Sequence, residues 1–145
     1  MKSSHSILLY YCYTAIKKPS AFREAHHRYC IEKGLRGRII IAEEGINGTV
    51  SGLVEDCEQY VQDFREDVRF AQTHFKVTPY HQHAFRKLHV RVKPEIVHAG
   101  LPDINPNLQA GPYVTPQELQ RMQAEGDVVL LEARSNYEHR MGRFK

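Results

Sequence analysis

The stretch IIIAEEGINGTVSG, residues 39–52, constrains the fold more than any other part of the chain. It opens with three β-branched residues, continues through Glu43 and Glu44, and contains three glycines. β-Branched runs favour strands, and an Asn-Gly pair is a strong short-range signal for a two-residue hairpin turn. We therefore predict two antiparallel strands that meet in a tight turn, with Asn47 and Gly48 at positive φ.

Strand-like and helical patterns alternate on both sides of this stretch. Continuous or alternating apolar runs predict further strands in residues 6–13, 74–80 and 87–93. Apolar residues at three- and four-residue intervals predict helices in residues 18–34 and 53–68. The order βαββαβ, followed by one extra strand, indicates an α+β protein with a ferredoxin-like sheet built from split βαβ units.

The composition of the sequence changes after Lys93. Five prolines lie between residues 94 and 116, which is typical of an extended connector. Thr115 followed by Glu118 predicts a capping box that opens a short helix. Residues 127–145 begin like a buried strand and are too few to cover it. We therefore expect a domain at 1–93, a linker at 94–126 and the beginning of a second, truncated domain at 127–145.

Composition places the chain among soluble globular proteins. It has 145 residues, of which 41% are hydrophobic and 26% are charged, and its formal net charge is +3. No apolar run approaches the ~20 residues of a membrane span, and the N-terminus lacks the apolar core of a signal peptide. We expect a cytoplasmic protein that does not associate with membranes. The odd number and wide spacing of Cys12, Cys30 and Cys57 predict small core residues rather than disulfides or a zinc site.

A basic segment near residue 90 is the best candidate for a binding site. Cationic or titratable side chains alternate there with apolar ones, which places them on one face of a strand. Such a row can contact phosphates without reading a base sequence. A solvated outer strand face with edge-protecting charges would show the same pattern, and the pattern alone favours it. The nucleic-acid-binding candidates are Lys87, His89, Arg91 and Lys93.

The corner formed by Glu43, Glu44 and Asn47 allows two interpretations. A catalytic carboxylate pair would have to share one site, but adjacent residues on a strand point to opposite faces. A simple turn that ends a strand is therefore favoured over catalysis. The segment matches neither common phosphate-binding glycine motif, and its acidic start would repel an anion. The paired histidines elsewhere lack a third ligand, so we predict no metal site.

Four blocks of sequence carry a resemblance to a known family. LLYYCYTAI, GRIIIAEEGINGTVSG, HAFRKLHVRVKPEIV and VVLLEARSNYEHRMGRFK occur in matching order over nearly the whole chain. Together they resemble the rhodanese-domain-containing UPF0176 family of oxygen-dependent tRNA uridine 34 hydroxylases. Two departures concern loops: residues 132–135 read Glu-Ala-Arg-Ser where the family usually has Asp-Val-Arg-Asn, and Arg86 stands where proline is common.

The resemblance implies an acylphosphatase-like N-terminal domain, a linker and the first strand of a rhodanese α/β domain. It implies conversion of the wobble uridine of tRNA to 5-hydroxyuridine, with molecular oxygen as co-substrate and no other identifiable cofactor. The family's essential cysteine would lie beyond Lys145, so no catalytic residue is expected in this chain. The expected partners are tRNA and the rhodanese domain of the same polypeptide. A stand-alone ferredoxin-like hydrolase or protein-interaction domain is the alternative.

Overall fold

The computed structural model describes residues 3–98, 100, 104, 108, 111–126 and 128–143. The chain forms two compact units, Met1–Ala110 and Gly111–Lys145. None of the described helices is both long enough and apolar enough to cross a membrane.

The first unit contains a five-stranded sheet and, among the helices whose bounds the structure describes, two that pack with it. The elements are β1 (His5–Tyr13), α1 (Pro19–Glu32), β2 (Arg36–Ala42), β3 (Gly45–Leu53), α2 (Val54–Glu66), β4 (Phe75–Tyr80) and β5 (Leu88–Val92). The strand order is β4-β1-β3-β2-β5. β1 pairs antiparallel with β3 and with β4, β2 pairs antiparallel with β3, and β5 joins the edge of β2 in parallel. This topology confirms the predicted ferredoxin-like fold with one added strand.

Both helices begin as their sequences predict. Pro19 occupies the first turn of α1, where its missing N–H costs no hydrogen bond. Glu55 and Asp56 lie in the first turn of α2, and Arg65 lies in its last turn. Negative charges near the N-terminus and a positive charge near the C-terminus interact favourably with the helix dipole. The apolar sides of the two helices contribute to one core, because Cys30 of α1 and residues of α2 pack in the same buried cluster as the strands.

Strand alternation gives the sheet a covered face and an open face. Leu8 and Tyr10 of β1 are 1% exposed, whereas Leu9 and Tyr11 are 45% and 50% exposed. Successive side chains of a strand point to opposite faces, so the helices lie against only one of them. The same alternation in β2 buries Ile39 and leaves its arginines exposed.

The predicted turn at Asn47-Gly48 is wrong. Ala42 pairs with Gly45, so Glu43 and Glu44 form the two-residue connection between β2 and β3. Gly45, with φ 154°, supplies the backbone conformation that this connection needs. Backbone N–H groups of the segment after β1 donate to the carbonyls of Glu43 and Glu44 at 2.9 Å, which fixes the turn there.

Gly48 lies inside β3 for a packing reason. It pairs with Ile39 of β2 and with Tyr10 of β1, and its φ is not positive. A Cβ atom at this position would overlap the ring of Tyr10. The glycine of the Asn-Gly pair therefore makes room for a buried aromatic ring and does not make a turn.

Two of the three cysteines have the buried positions that the sequence predicts. Cys30 and Cys57 are buried, and Cys12 is partly exposed. Burial raises the pKa of the Cys30 thiol to about 12 and also raises the pKa of Cys57. Both thiols are therefore protonated at neutral pH and are poor nucleophiles.

The described residues of the second unit include two short helices. The predicted capping box is confirmed: Thr115 Oγ1 accepts from the Glu118 N–H at the start of α3 (Pro116–Glu125). Ser135 caps α4 (Asn136–Met141) in the same way. The strand predicted after residue 127 is wrong for its described part, residues 128–131. A strand needs a neighbour to pair with, and without one the side chains of Val129 and Leu131 are 93% and 90% exposed.

A buried chain of polar groups runs through the aromatic core of the first unit. His26 Nε2 and the Tyr60 hydroxyl are hydrogen-bonded at 2.9 Å, and the Tyr60 hydroxyl is bonded to that of Tyr10. Burial lowers the pKa of His26 from 6.5 to about 4. The folded protein therefore favours the neutral imidazole, whereas the unfolded chain takes up a proton near pH 6.5.

We expect His26 to make folding sensitive to mild acid. A histidine whose pKa is lowered on folding loses stability as the pH falls below its unfolded value, and the loss ends near its folded value of about 4. The shift corresponds to about 3 kcal/mol in total, of which about 2 kcal/mol is gone by pH 5. Urea unfolding at pH 7 and pH 5 should show a smaller pH effect for His26→Gln than for the native chain. An equal effect in both proteins would contradict this role of His26.

Candidate nucleic-acid interface

The predicted basic row follows β5 along the edge of the sheet. His89 and Arg91 are exposed, whereas Val90 between them is 2% exposed and lies on the helix side. Arg23 of α1 donates to the Val90 carbonyl at 2.9 Å and helps to hold this strand against the helix. The alternation thus points His89 and Arg91 to the open face of the sheet, as predicted.

The backbone fixes both ends of this row. The Gly37 N–H donates to the Lys87 carbonyl at 3.0 Å, and the Lys93 N–H donates to the Ile41 carbonyl at 2.9 Å. The parallel ladder between β2 and β5 therefore extends one residue beyond β5 at each end. All four predicted residues, Lys87, His89, Arg91 and Lys93, consequently have a fixed backbone position beside β2.

Two further cations on β2 extend the row into a patch, and the sequence interpretation missed them. Arg36 and Arg38 are exposed and alternate with buried residues of that strand. Arg38 lies directly opposite His89 in the parallel ladder, and Ile40 lies opposite Arg91. The signal was present in the sequence Arg-Gly-Arg before the isoleucine run, but only the pairing of β2 with β5 brings the two sets of cations side by side.

Two adjoining grooves run along this patch. The first, the Phe85 groove, has a volume of about 490 Å³, and the second, the Arg91 groove, has a volume of about 280 Å³. Arg38 and His89 line both grooves, so the two are continuous. None of the described residues that line either groove carries a carboxylate. The Phe85 groove is lined by Gly37, Arg38, Thr49, Phe85, Arg86, Lys87 and His89, and the Arg91 groove by Arg38, Ile40, His89, Arg91 and Lys93.

The loop from β4 to β5 is fastened to the sheet beside the Phe85 groove. The Ser51 hydroxyl accepts from the Ala84 N–H at 3.0 Å, and the imidazole of His83 lies 3.2 Å from the Ser51 carbonyl. Burial, together with the positive charge of Arg36, lowers the pKa of His83. These contacts fix the backbone of the loop to β3 a few residues before β5 begins.

The corner formed by Glu43, Glu44 and Asn47, the acidic corner, binds the segment that follows β5. One carboxylate oxygen of Glu44 accepts from the Ile96 N–H at 2.7 Å, and Asn47 Nδ2 donates to the Ile96 carbonyl at 3.0 Å. Ile96 is 2% exposed, so both of its backbone groups need partners inside the protein. Glu43, by contrast, is exposed. The two glutamates thus have different surroundings, and Glu44 and Asn47 act together on one backbone segment.

Tyr13 lies close to this corner. Partial burial raises the pKa of its phenol, and the negative charges of Glu44 and Glu95 raise it further. Among the described residues, no group of three or more histidine, cysteine, aspartate or glutamate side chains is placed to hold a metal ion.

The two neighbouring glutamates provide a matched pair of substitutions. We expect Glu44→Ala to lower the free energy of unfolding by about 1–3 kcal/mol, because the buried Ile96 N–H loses its acceptor. Glu43→Ala should stay within about 0.5 kcal/mol of the native chain, because its side chain is exposed. Urea unfolding of both variants checks this difference. Equal losses would show that the hydrogen bond to Ile96 contributes nothing of its own.

The fold and the site define a class: an acylphosphatase-like α+β domain that presents a cationic strand edge on its open sheet face. Residues 5–96 match the UPF0176 acylphosphatase like domain, and the chain belongs to that family. The resemblance found in the sequence blocks is thereby confirmed.

Relatives with high identity have one name in common. A protein from Cytophaga hutchinsonii named tRNA uridine(34) hydroxylase is 54% identical over 141 residues, which cover 97% of this chain and 45% of the relative. A protein of the same name from Oceanobacillus iheyensis is 44% identical over 142 residues, which cover 97% of this chain and 44% of the relative. The chain therefore spans somewhat less than half the length of these curated relatives.

A solved structure supports the fold. The dark-state structure of the BLUF protein BlrB matches with a TM-score of 0.55 at 17% identity, covering 87% of this chain and 99% of that chain. At this identity the likeness concerns the arrangement of strands and helices only.

Proposed function

We propose that this chain is the N-terminal substrate-binding region of a tRNA hydroxylase that converts wobble uridine 34 to 5-hydroxyuridine, with molecular oxygen as co-substrate. The names of the relatives support the reaction and the substrate. The observation in the structure that supports the binding role is the continuous patch of cations along β2 and β5. Its two grooves have no acidic side chain among their described lining residues.

The role of the patch follows from electrostatics. Lysine and arginine side chains release counterions when they neutralise phosphates, and this provides affinity without base recognition. Five exposed cations lie along the adjacent strands β2 and β5 or one residue beyond β5, and they give a strip that can follow an RNA backbone: Arg36, Arg38, Lys87, Arg91 and Lys93. A solvated strand face was the alternative for β5 alone. The added arginines of β2 and the shared grooves favour binding.

We further propose that the reaction is completed by a rhodanese domain in the same cytoplasmic polypeptide. On this proposal residues 94–126 form a linker and residues 127–145 begin the rhodanese domain. The exposed apolar side chains of Val129 and Leu131 support this division, because a strand that joins a larger sheet would bury them. Glu43, Glu44 and Asn47 have a structural role at the corner on this proposal.

The tRNA-binding role can be tested through its salt dependence. Replacing Lys87, Arg91 and Lys93 together by Ala should lower the magnitude of the slope of log K against log salt by about 2, because each lost phosphate contact contributes about 0.7–0.9. Fluorescence anisotropy with labelled, unmodified tRNA at several salt concentrations provides the measurement.

A control with the same change in charge is available outside β2 and β5. Lys17 and Lys18 precede α1, Arg28 lies within it, and all three are exposed. The triple substitution of these residues by Ala should leave most of the slope intact. Equal slopes in the two triple variants would refute a specific role for β5.

The proposal that this chain binds tRNA and needs a rhodanese domain for the reaction can be tested by an activity assay. We expect this chain alone to form no 5-hydroxyuridine, because its buried thiols, Cys30 and Cys57, are protonated and it carries no nucleotide-cofactor motif. Incubation with unmodified tRNA under oxygen, followed by mass spectrometry of the nucleosides, checks this. The full-length Cytophaga hutchinsonii relative serves as the positive control. Product formed by this chain would direct attention to Glu43, Glu44 and Cys12.

A further inference from the structure

The proposed function uses cations to contact phosphates and leaves one feature of the patch without a role. Phe85 is an aromatic side chain that lines the Phe85 groove among arginine and lysine side chains. It is only partly buried and does not belong to the hydrophobic core cluster. An aromatic ring among cations on an open sheet face has a specific use in RNA recognition, because unpaired bases stack on such rings.

We infer that the Phe85 groove and the Arg91 groove form one track for an unpaired strand of RNA, with a base stacked on Phe85 and phosphates bound along Arg38, Arg91 and Lys93. This inference rests on the proposed tRNA-binding function and specifies the part of the RNA that the site takes. It differs from backbone contact alone, because stacking requires a base that is free of its partner.

The track is continuous and has the length that several nucleotides need. Both grooves share Arg38 and His89, which lie opposite each other in the ladder between β2 and β5. Six residue steps separate Lys87 from Lys93, and at ~3.3 Å per residue they extend over roughly 20 Å. A track of this length can contact several consecutive nucleotides of one unpaired strand.

The backbone that carries Phe85 is fixed to the sheet on both sides. One residue before it, the Ala84 N–H donates to the Ser51 hydroxyl of β3 at 3.0 Å, and two residues after it, the Lys87 carbonyl accepts from the Gly37 N–H of β2 at 3.0 Å. A backbone that is fixed beforehand lowers the conformational entropy lost when a base stacks on its side chain.

The polar groups of the Phe85 groove suit a nucleotide better than an apolar peptide. The groove offers the Thr49 hydroxyl and several cations beside a single aromatic ring. Protein-binding grooves are depleted of lysine at their centre, whereas single-stranded RNA sites combine cations with aromatic rings. Charge complementarity therefore selects RNA over a protein segment as the occupant.

The inference can be tested with Phe85→Leu, which removes the ring and keeps an apolar side chain. Its affinity for a short single-stranded oligouridine should fall about fivefold or more, because stacking contributes about 1–3 kcal/mol per base. Phe85→Tyr should retain the affinity. The salt slope should stay unchanged in both variants, since no cation is removed. Tyr80→Leu, on β4 at the opposite edge of the sheet, is the matched control and should bind as the native chain does.

A fluorescence measurement provides a second test that does not depend on the Leu variant. The chain contains no tryptophan, so Phe85→Trp introduces a single indole. Its emission should be quenched by oligouridine and much less by a fully paired RNA duplex. Tyr80→Trp should show little quenching with either RNA.

The outcomes separate this inference from the proposed function. If the native chain binds tRNA but Phe85→Leu binds oligouridine normally, or the Phe85→Trp emission does not respond, base stacking is refuted and backbone binding stands. If the chain binds tRNA and duplex RNA but not oligouridine, an unpaired strand is refuted as the occupant. If it binds no RNA, the proposed function fails as well, and a protein segment becomes the occupant to test.

Discussion

The ring of Tyr10 is the contact on which the arrangement of the first unit depends. It lies on β1, an inner strand of the sheet, with ring centroids 5.2 Å from Phe64 of α2 and 4.8 Å from Phe75 of β4. Across the ladder it occupies the space where a side chain of Gly48 would stand. One buried aromatic residue thus packs against β3, β4 and α2, and its hydroxyl is hydrogen-bonded to that of Tyr60. The fully buried position raises the pKa of the Tyr10 phenol, so the group stays neutral.

Because the helices cover one face of the sheet, the polar side chains of the strands lie on the other face. Each strand that buries an isoleucine or valine toward the helices presents its alternate residues outward. β5 then adds to the edge of β2, and its parallel register sets Arg38 against His89. The cationic patch is thus a consequence of strand order, and α1 supports it from behind through the bond from Arg23 to the Val90 carbonyl.

The acidic corner shows how a motif that resembles a catalytic site can have a structural purpose. Glu44 and Asn47 bind the N–H and the carbonyl of the same residue, Ile96, and thereby secure the chain where it leaves the sheet. This places the corner at the exit of the domain, beside the C-terminal end of the cation row at Lys93. On the proposed function, the corner stabilises the end of the RNA-binding strand by fixing the segment that follows it.

The sequence by itself determined the order and type of the elements in the first unit, because apolar periodicity is a local property that depends on which side of a strand or helix faces the core. It also determined the capping box at Thr115 and the outward direction of Arg91. The tertiary structure decided the rest. The Asn-Gly pair became part of β3 because Tyr10 needs the space at Gly48, and residues 128–131 form no strand because pairing requires a neighbour. Arg38 is far in sequence from Phe85 and Arg91, and only the parallel addition of β5 to β2 places it in the grooves that they line. Strand neighbours are chosen by packing and not by local sequence.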